Sequence, residues 1–333
     1  FNPASMTAAQ NFESEGGHPN SAVELTSKLL VQDGTVADLD AARTYHADMG
    51  PAATREYLYS KTPEEIFQLF DDGGFGGMIN VPDTFADGHV LPAMTTEEIF
   101  SSLDNHNAVP VILGTNRDEP ALFMAMVPDN LDMFLWVFPR LKDEDAYLRA
   151  VKYGALSWKE RGVDSLARYM TAAGNPNVYA YRFDWDEEGS VMGYDLSKAL
   201  GAAHGLEIPF VFGDFEGGFA ALGDFFTASP GRDGLSASMQ SYWSEFAVNG
   251  DPGSGRDGKE TPWLAWGTDG QRSLILDTAE GGGIRMMDDE VTREGIKAEL
   301  AADTSITDAR ERCALYVSNF GRPALDRAEY ESF

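Results

Sequence analysis

Acidic side chains and one histidine occupy positions in the chain where acid–base chemistry is possible. Asp118 and Glu119 follow the apolar run at 109–113, and His204 stands between an alanine and a glycine, which leave room around its imidazole. Histidine is the side chain best suited to accepting and returning a proton near neutral pH. His204 is therefore a candidate general base, and the acid pair belongs to a candidate functional loop.

Both places also have a purely structural interpretation. Asp118 and Glu119 precede a predicted helix, where carboxylates favour the helix dipole and cap the first turn. His204 is equally consistent with a histidine that only satisfies hydrogen bonds. Taken alone, these settings favour the structural interpretation. The other histidines, which have no comparable setting, are His18, His46, His89 and His106.

The elements around these residues predict an α/β fold with a mostly parallel sheet flanked by helices. Strand-like apolar runs occupy 109–113, 178–183 and 273–276, with a possible partner at 284–286. Helical patterns occupy 22–30, 36–45, 141–156, 160–173, 195–203 and 236–248, Thr62 and Pro63 begin another helix, and two more end the chain. Strands alternating with helices indicate a parallel sheet, and ligands bind beyond the carboxyl ends of such strands. No linker divides the chain, so we expect one domain over residues 1–333.

Five segments stand in an order that is similar to one known family. Two of them contain the candidate residues, at 114–119 (GTNRDE) and 203–213 (AHGLEIPFVFG). The other three are 87–92 (DGHVLP), 239–252 (MQSYWSEFAVNGDP) and 262–266 (PWLAW). Together they resemble the acid motif, the histidine motif and the flanking landmarks of type-B carboxylesterases, the family that includes the cholinesterases. The resemblance covers residues 20–280 approximately, which makes chance a poor explanation.

The resemblance implies an α/β-hydrolase fold and hydrolysis of small-molecule carboxylic esters by a Ser–His–acid triad. By position, Glu119 would be the acid that orients the imidazolium of His204. His204 would be the general base and then the general acid toward the leaving alcohol. Because of this resemblance, we favour a catalytic role for Glu119 and His204 over the structural role that their local sequence settings suggest.

The nucleophilic serine of such a triad is not identifiable in this chain. It should lie in a Gly-x-Ser-x-Gly turn upstream of the acid. Ser14 has a phenylalanine and a glutamate where that turn needs small residues, and Ser236 and Ser238 open a predicted helix. The glycine loop at 73–77 resembles an oxyanion-hole loop in composition but lies on the wrong side of the expected turn. We therefore expect the C-terminal portion of such an esterase, lacking the N-terminal strands.

Composition limits the ligands and partners. The chain has 25 Lys and Arg against 54 Asp and Glu, a net charge of -29, which makes nucleic acid and anionic lipid unsuitable partners. No apolar run approaches the eighteen or so residues of a membrane helix, so we expect a soluble protein. The single Cys313 and five scattered histidines form no metal-ligand cluster, and no phosphate-binding loop is recognisable. We expect neither a metal nor a cofactor.

Compartment, assembly and the alternative functions stay open. The start of the chain is not a signal peptide, but a longer precursor would allow either a cytoplasmic or an exported protein. Lack of the first strands would expose a sheet edge and apolar surface, which predicts a homo-oligomer or association with the missing N-terminal portion. The alternatives to an esterase are a non-catalytic cholinesterase-like binding or assembly module and an inactive fragment of a larger esterase.

Overall fold

The structure is a computed structural model that describes residues 18–70, 88–134, 138–191, 194–216, 226–321 and 327–331. Ser14 and the glycine loop at 73–77 lie outside the described residues. Contacts divide the chain into two compact units, Phe1–Thr96 and Glu97–Phe333. The single domain expected over residues 1–333 stays a prediction.

Strands and helices are interspersed along the described part of the chain. The strands are β1 Val111–Asn116, β2 Leu131–Phe134, β3 Phe138–Leu141, β4 Val178–Phe183, β5 Ser190–Val191, β6 Tyr194–Asp195, β7 Ser273–Leu276 and β8 Arg285–Met287. The α-helices are α1 Ala22–Gln32, α2 Leu39–Tyr59, α3 Pro63–Phe67, α4 Thr96–Phe100, α5 Ala121–Met124, α6 Glu144–Lys159, α7 Ser165–Ala172, α8 Ile208–Phe212, α9 Pro230–Asn249, α10 Arg293–Ala302, α11 Ala309–Phe320 and α12 Arg327–Tyr330. A π-helical turn, Glu160–Asp164, joins α6 to α7.

The first unit is built from α1, α2 and α3, with α1 packed against α2. Thr62 caps α3 as predicted: its hydroxyl accepts a hydrogen bond from the Glu65 backbone N–H, and the Glu65 carboxylate accepts one from the Thr62 N–H. Within α2, Gly50 has a φ of 71°, so the helix breaks just before Pro51. The helix predicted at 36–45 is therefore the first part of a longer, interrupted element.

The second unit contains a four-stranded sheet in the order β1-β4-β7-β8. β1, β4 and β7 are mutually parallel, and β8 pairs antiparallel with β7. This confirms the predicted mostly parallel sheet. β4 and β7 have the predicted bounds, whereas β1 begins at Val111 and continues to Asn116 because its pairing with β4 extends to that residue.

Helices cover both faces of the sheet, which confirms the predicted α/β class. On one face of β4, Tyr179 and Phe183 belong to a buried cluster with Phe210 of α8 and Met239 of α9. The opposite face contributes a second buried cluster, whose members are Val163, Ala167, Met170, Val178, Ala180 and Trp266. Coverage of both faces explains why these strands are continuous apolar runs. No helix in the described part of the chain is long and apolar enough to cross a membrane.

One predicted helix is largely absent. The pattern at 195–203 predicts a helix up to the histidine, but only a 3₁₀ turn, Leu196–Lys198, forms there. Gly201 then has a φ of 51°, in the left-handed region that ends helical structure. His204 consequently lies in a tight turn rather than at a helix end.

Candidate active site

The structure brings Glu119 and His204 together. Nδ1 of His204 lies 2.6 Å from Oε2 of Glu119, although the residues belong to separate loops that follow β1 and β6. Because an ionised carboxylate only accepts hydrogen bonds, Nδ1 is the donor in this pair. The Glu119 side chain is 6% exposed and that of His204 is 46% exposed. The carboxylate is therefore enclosed by protein, while the imidazole is accessible.

Neither acid caps the helix that follows. α5 begins at Ala121, its N-cap is Pro120, and no side chain hydrogen-bonds to its first turn. Asp118 instead holds the histidine loop: its backbone N–H donates to Ala202 O at 2.9 Å, and its Oδ2 accepts from the Ala202 N–H at 3.0 Å. The structural interpretation of these acids as helix caps is wrong.

Gly201 allows this contact between the loops. A Cβ atom at that position would lie 2.4 Å from Oδ2 of Asp118, and the left-handed backbone is one that other residues rarely adopt. A side chain there would push the Asp118 carboxylate away from Ala202. Gly201 therefore allows the loop that contains Asp118 to pack closely against the loop that contains His204.

The Glu119 carboxylate is fixed by its own loop as well. Its Oε1 accepts from the backbone N–H of Asn116 at 2.8 Å and from Oγ1 of Thr115 at 3.3 Å. Oε2 is left to the imidazole. Each oxygen thus has a defined partner, which orients the carboxylate plane toward His204.

The pKa of His204 is raised above its ordinary value. The largest cause is the hydrogen bond to Glu119, and the negative charges of Glu119 and Glu207 act in the same direction. Partial burial opposes them, because it disfavours the imidazolium. The site therefore favours a protonated histidine more than water does.

Two aromatic rings pack against the imidazole of His204. The ring centroids of Phe123 and Trp158 each lie 5.3 Å from that of His204, and these two rings stack on each other at 6.2 Å. Packing of this kind restricts rotation of the imidazole about its side-chain bonds. The histidine is therefore held by its aromatic neighbours as well as by Glu119.

A partly buried polar network lies beyond the same ends of the strands. Arg117 donates to Asp118, to Asp186 and to the carbonyl of Asp184. Glu188 is 5% exposed, and among the described residues neither of its carboxylate oxygens has a hydrogen-bond partner. Burial raises the pKa of Glu188 to about 8. No group of His, Cys, Asp or Glu among the described residues is arranged to hold a metal ion.

The serines considered in the sequence do not complete the site. Ser236 and Ser238 lie within α9, and the buried Ser236 hydroxyl donates to Phe210 O at 2.8 Å. Neither residue occupies a strand-to-helix turn. Within the described ranges, no serine hydroxyl is hydrogen-bonded to His204.

Sequence reasoning overlooked two polar neighbours of the pair. The side-chain amide of Asn116 contacts the carbonyl of Ala203 and the carboxylate of Glu207. Burial raises the pKa of Glu207, and the hydrogen bond from Asn116 opposes that effect. Asn116 lies in the segment that resembles the acid motif and Glu207 in the one that resembles the histidine motif. That placement was the sequence signal that could have pointed to both residues.

Comparisons with known proteins converge on one family. Residues 154–292, which include His204, match the model of the carboxylesterase family. Para-nitrobenzyl esterase of Bacillus subtilis (strain 168) is 26% identical over 284 residues, which are 78% of this chain and 54% of that protein. Carboxylesterase 5A of Felis catus is 28% identical over 270 residues, which are 72% of this chain and 46% of that protein. The chain thus spans about half the length of these curated relatives.

Solved esterase structures also match. A PNB esterase structure is 20% identical, with a TM-score of 0.48, over 78% of this chain and 53% of that chain. Aspergillus niger EstA is 15% identical, with a TM-score of 0.49, over 89% of this chain and 55% of that chain.

Proposed function

We propose that this chain is a member of the carboxylesterase family, and that Glu119 and His204 are the acid–histidine half of a serine hydrolase site acting on carboxylic esters. The observation that carries the proposal is the 2.6 Å hydrogen bond between a buried carboxylate and an accessible imidazole. This is the arrangement in which an acid orients a histidine for proton transfer.

The proposed mechanism uses the two imidazole nitrogens differently. Nδ1 is engaged by Glu119, so Nε2 is the nitrogen available to accept the proton of a serine hydroxyl. The resulting imidazolium is stabilised by the carboxylate of Glu119. The same Nε2 proton then passes to the leaving alcohol, and the cycle repeats with water as the nucleophile.

The pH dependence follows from the direction of the His204 shift. A general base must be neutral at the start of the reaction, and the pKa of His204 lies above its ordinary value. Ester hydrolysis should therefore rise with pH until it passes that raised pKa. Loss of Glu119 should move the rise to lower pH, because the largest cause of the shift is removed.

The nucleophile is proposed to come from a portion that pairs with β1. The N–H groups of Val111 and Arg117 donate to the carbonyls of Asn177 and Phe183, at the two ends of β4. The backbone N–H groups of the odd-numbered residues of β1 therefore face β4. Those of Ile112 and Gly114 point to the opposite edge, where no described strand pairs. Val109 and Val248, 58% and 66% exposed, add apolar surface in the same unit. Such an edge is suited to a further strand.

A strand that supplies the serine should run parallel to β1. The carboxyl ends of parallel strands meet at one edge of a sheet, and Glu119 lies just beyond that end of β1. A turn after the added strand would then bring its serine to the same edge as His204. This supports association with a serine-bearing portion over self-pairing as the route to an active enzyme.

The test measures hydrolysis of short p-nitrophenyl esters and labelling by a fluorophosphonate probe, both for the full chain alone and for the chain combined with the serine-bearing portion. Glu119→Gln should lower kcat by about 10³- to 10⁴-fold, because the imidazole loses the carboxylate that orients it. His89→Gln, at an exposed histidine in the other unit, is the matched control and should leave the rate unchanged.

Mass spectrometry of the labelled protein would identify the serine. If the intact, folded chain neither turns over the esters nor reacts with the probe, whether alone or combined with the serine-bearing portion, the proposed esterase is contradicted. That result would favour a non-catalytic binding or assembly module, the other function that the sequence allows.

A further inference from the structure

Asn116, the last residue of β1, contacts Glu119 and the loop that contains His204. Its backbone N–H donates to Oε1 of Glu119 at 2.8 Å, and its side-chain Nδ2 donates to the carbonyl of Ala203 at 2.7 Å and to Oε2 of Glu207 at 2.5 Å. Ala203 directly precedes His204. We propose that Asn116 is a positioning residue that holds Glu119 and His204 at hydrogen-bonding distance.

The chemistry of the contacts requires an amide at this position. A peptide carbonyl only accepts hydrogen bonds, so the amide nitrogen of Asn116 must face Ala203, and that nitrogen carries two protons. The second proton serves the Glu207 carboxylate. Asn116 is itself buried, so a side chain without donors would leave both acceptors without this partner.

This role differs from simply joining the two loops. Asp118 already joins them through two hydrogen bonds with Ala202, one to its backbone N–H and one to its carboxylate. Asn116 in addition holds the peptide group between Ala203 and His204 through the Ala203 carbonyl. The orientation of this peptide group sets the direction of the His204 side chain. The loops should therefore stay together when the Asn116 amide is removed, while the imidazole loses its fixed orientation.

The experiment follows the His204 ring by NMR in the full chain labelled with ¹⁵N-histidine. In Asn116→Leu, we expect the pKa of His204 to fall toward its ordinary value and its Nδ1 proton to exchange about tenfold faster with water, because local opening becomes easier. His204→Gln assigns the signal. The inference rests on the proposed role of the pair, but its readout needs no ester turnover, so the two hypotheses fail independently.

Asn175→Leu is the matched control. Asn175 is similarly buried, and its amide joins Val109 O and the Asn177 N–H, both at 3.0 Å, before β1 and β4 begin. It should lower stability without changing the pKa or the proton exchange of His204. A folded Asn116→Leu protein with unchanged His204 signals would overturn the proposal, as would equal changes in both variants.

A second pair of variants separates position from charge and leaves Asn116 intact. Glu207→Gln and Glu207→Leu both remove a negative charge that raises the pKa of His204, so both should lower that pKa. Only glutamine keeps an oxygen that accepts from Nδ2 of Asn116. We expect Nδ1 exchange to accelerate in Glu207→Leu alone, and equal rates in the two variants would contradict a positioning role.

Discussion

At the scale of single residues, burial separates two kinds of carboxylate in this protein. Glu119 is buried, but both of its oxygens have hydrogen-bond donors, one of them His204. Glu188 is equally buried, but its oxygens accept no hydrogen bond from the residues that the structure describes, and it lies near the negative charges of Asp186 and Asp118. The first carboxylate suits an electrostatic role, whereas the second is a source of pH-dependent stability.

Glu188→Gln should make stability less sensitive to alkaline pH. Burial raises the pKa of Glu188 from 4.5 to about 8 in the folded protein, so the folded state binds the proton more tightly than the unfolded state. The stabilisation is present below pH 4.5 and is lost as pH rises through about 8. Thermal unfolding at pH 5 and pH 9 should show a smaller fall in Tm for the variant than for the wild type.

Glu280→Gln is the control for this measurement, since Glu280 is exposed. It should keep the pH profile of the wild type. Parallel profiles for the wild type and Glu188→Gln would show that the buried carboxyl does not carry the effect.

At the scale of elements, a buried ion pair joins the last residue of α6 to the end of the π-helical turn. Nζ of Lys159 lies 2.5 Å from Oδ2 of Asp164, and these side chains are 4% and 0% exposed. The same Asp164 oxygen accepts from the Val291 N–H at 2.6 Å. Asp164 therefore links the segment before α10 to the π-helical turn, which packs against β1.

Lys159→Met should destabilise the protein by about 3–5 kcal/mol, because it leaves a buried carboxylate without its cation. The double variant Lys159→Met/Asp164→Leu should recover a large part of that loss. Urea unfolding followed by circular dichroism measures the free energies.

Lys152→Met provides the comparison at the surface. Lys152 pairs with Glu299, and both side chains are about half exposed, so its loss should cost roughly 0–1 kcal/mol. Equal costs for the two lysine variants would show that burial does not distinguish the pairs.

At the scale of the whole molecule, the edge of β1 that no described strand pairs with and the net charge of -29 act in opposite directions. Unpaired peptide groups favour addition of a strand, while the shared negative charge makes copies of the chain repel each other. Screening by salt weakens the repulsion but not the strand pairing. Any association through this edge should therefore strengthen as ionic strength rises.

Ile112→Pro should weaken such association without disrupting the pairing of β1 with β4. The Ile112 N–H points away from β4, so proline removes a donor only from the edge that no described strand pairs with. Size-exclusion chromatography with light scattering at low and high salt measures the change. Ile112→Ala, which shortens the side chain and keeps the N–H, is the control, and equal behaviour of the two variants would exclude the edge as the interface.

The sequence by itself determined the strand segments that became β4 and β7, and it singled out Glu119 and His204 as candidate catalytic residues. These signals are local, because apolar runs and short motifs depend on neighbouring residues. The helix predicted up to His204 failed because Gly201 adopts a left-handed backbone, which periodicity does not reveal.

Only the tertiary structure decided what the polar residues do. The Glu119–His204 hydrogen bond joins residues 85 positions apart, and the contact from Asn116 to Glu207 spans 91. Asp118 could be taken for a helix cap until the histidine loop was placed against it. Such contacts depend on the register of β1 and β4 and on the loops that leave them, and no local pattern encodes these distances.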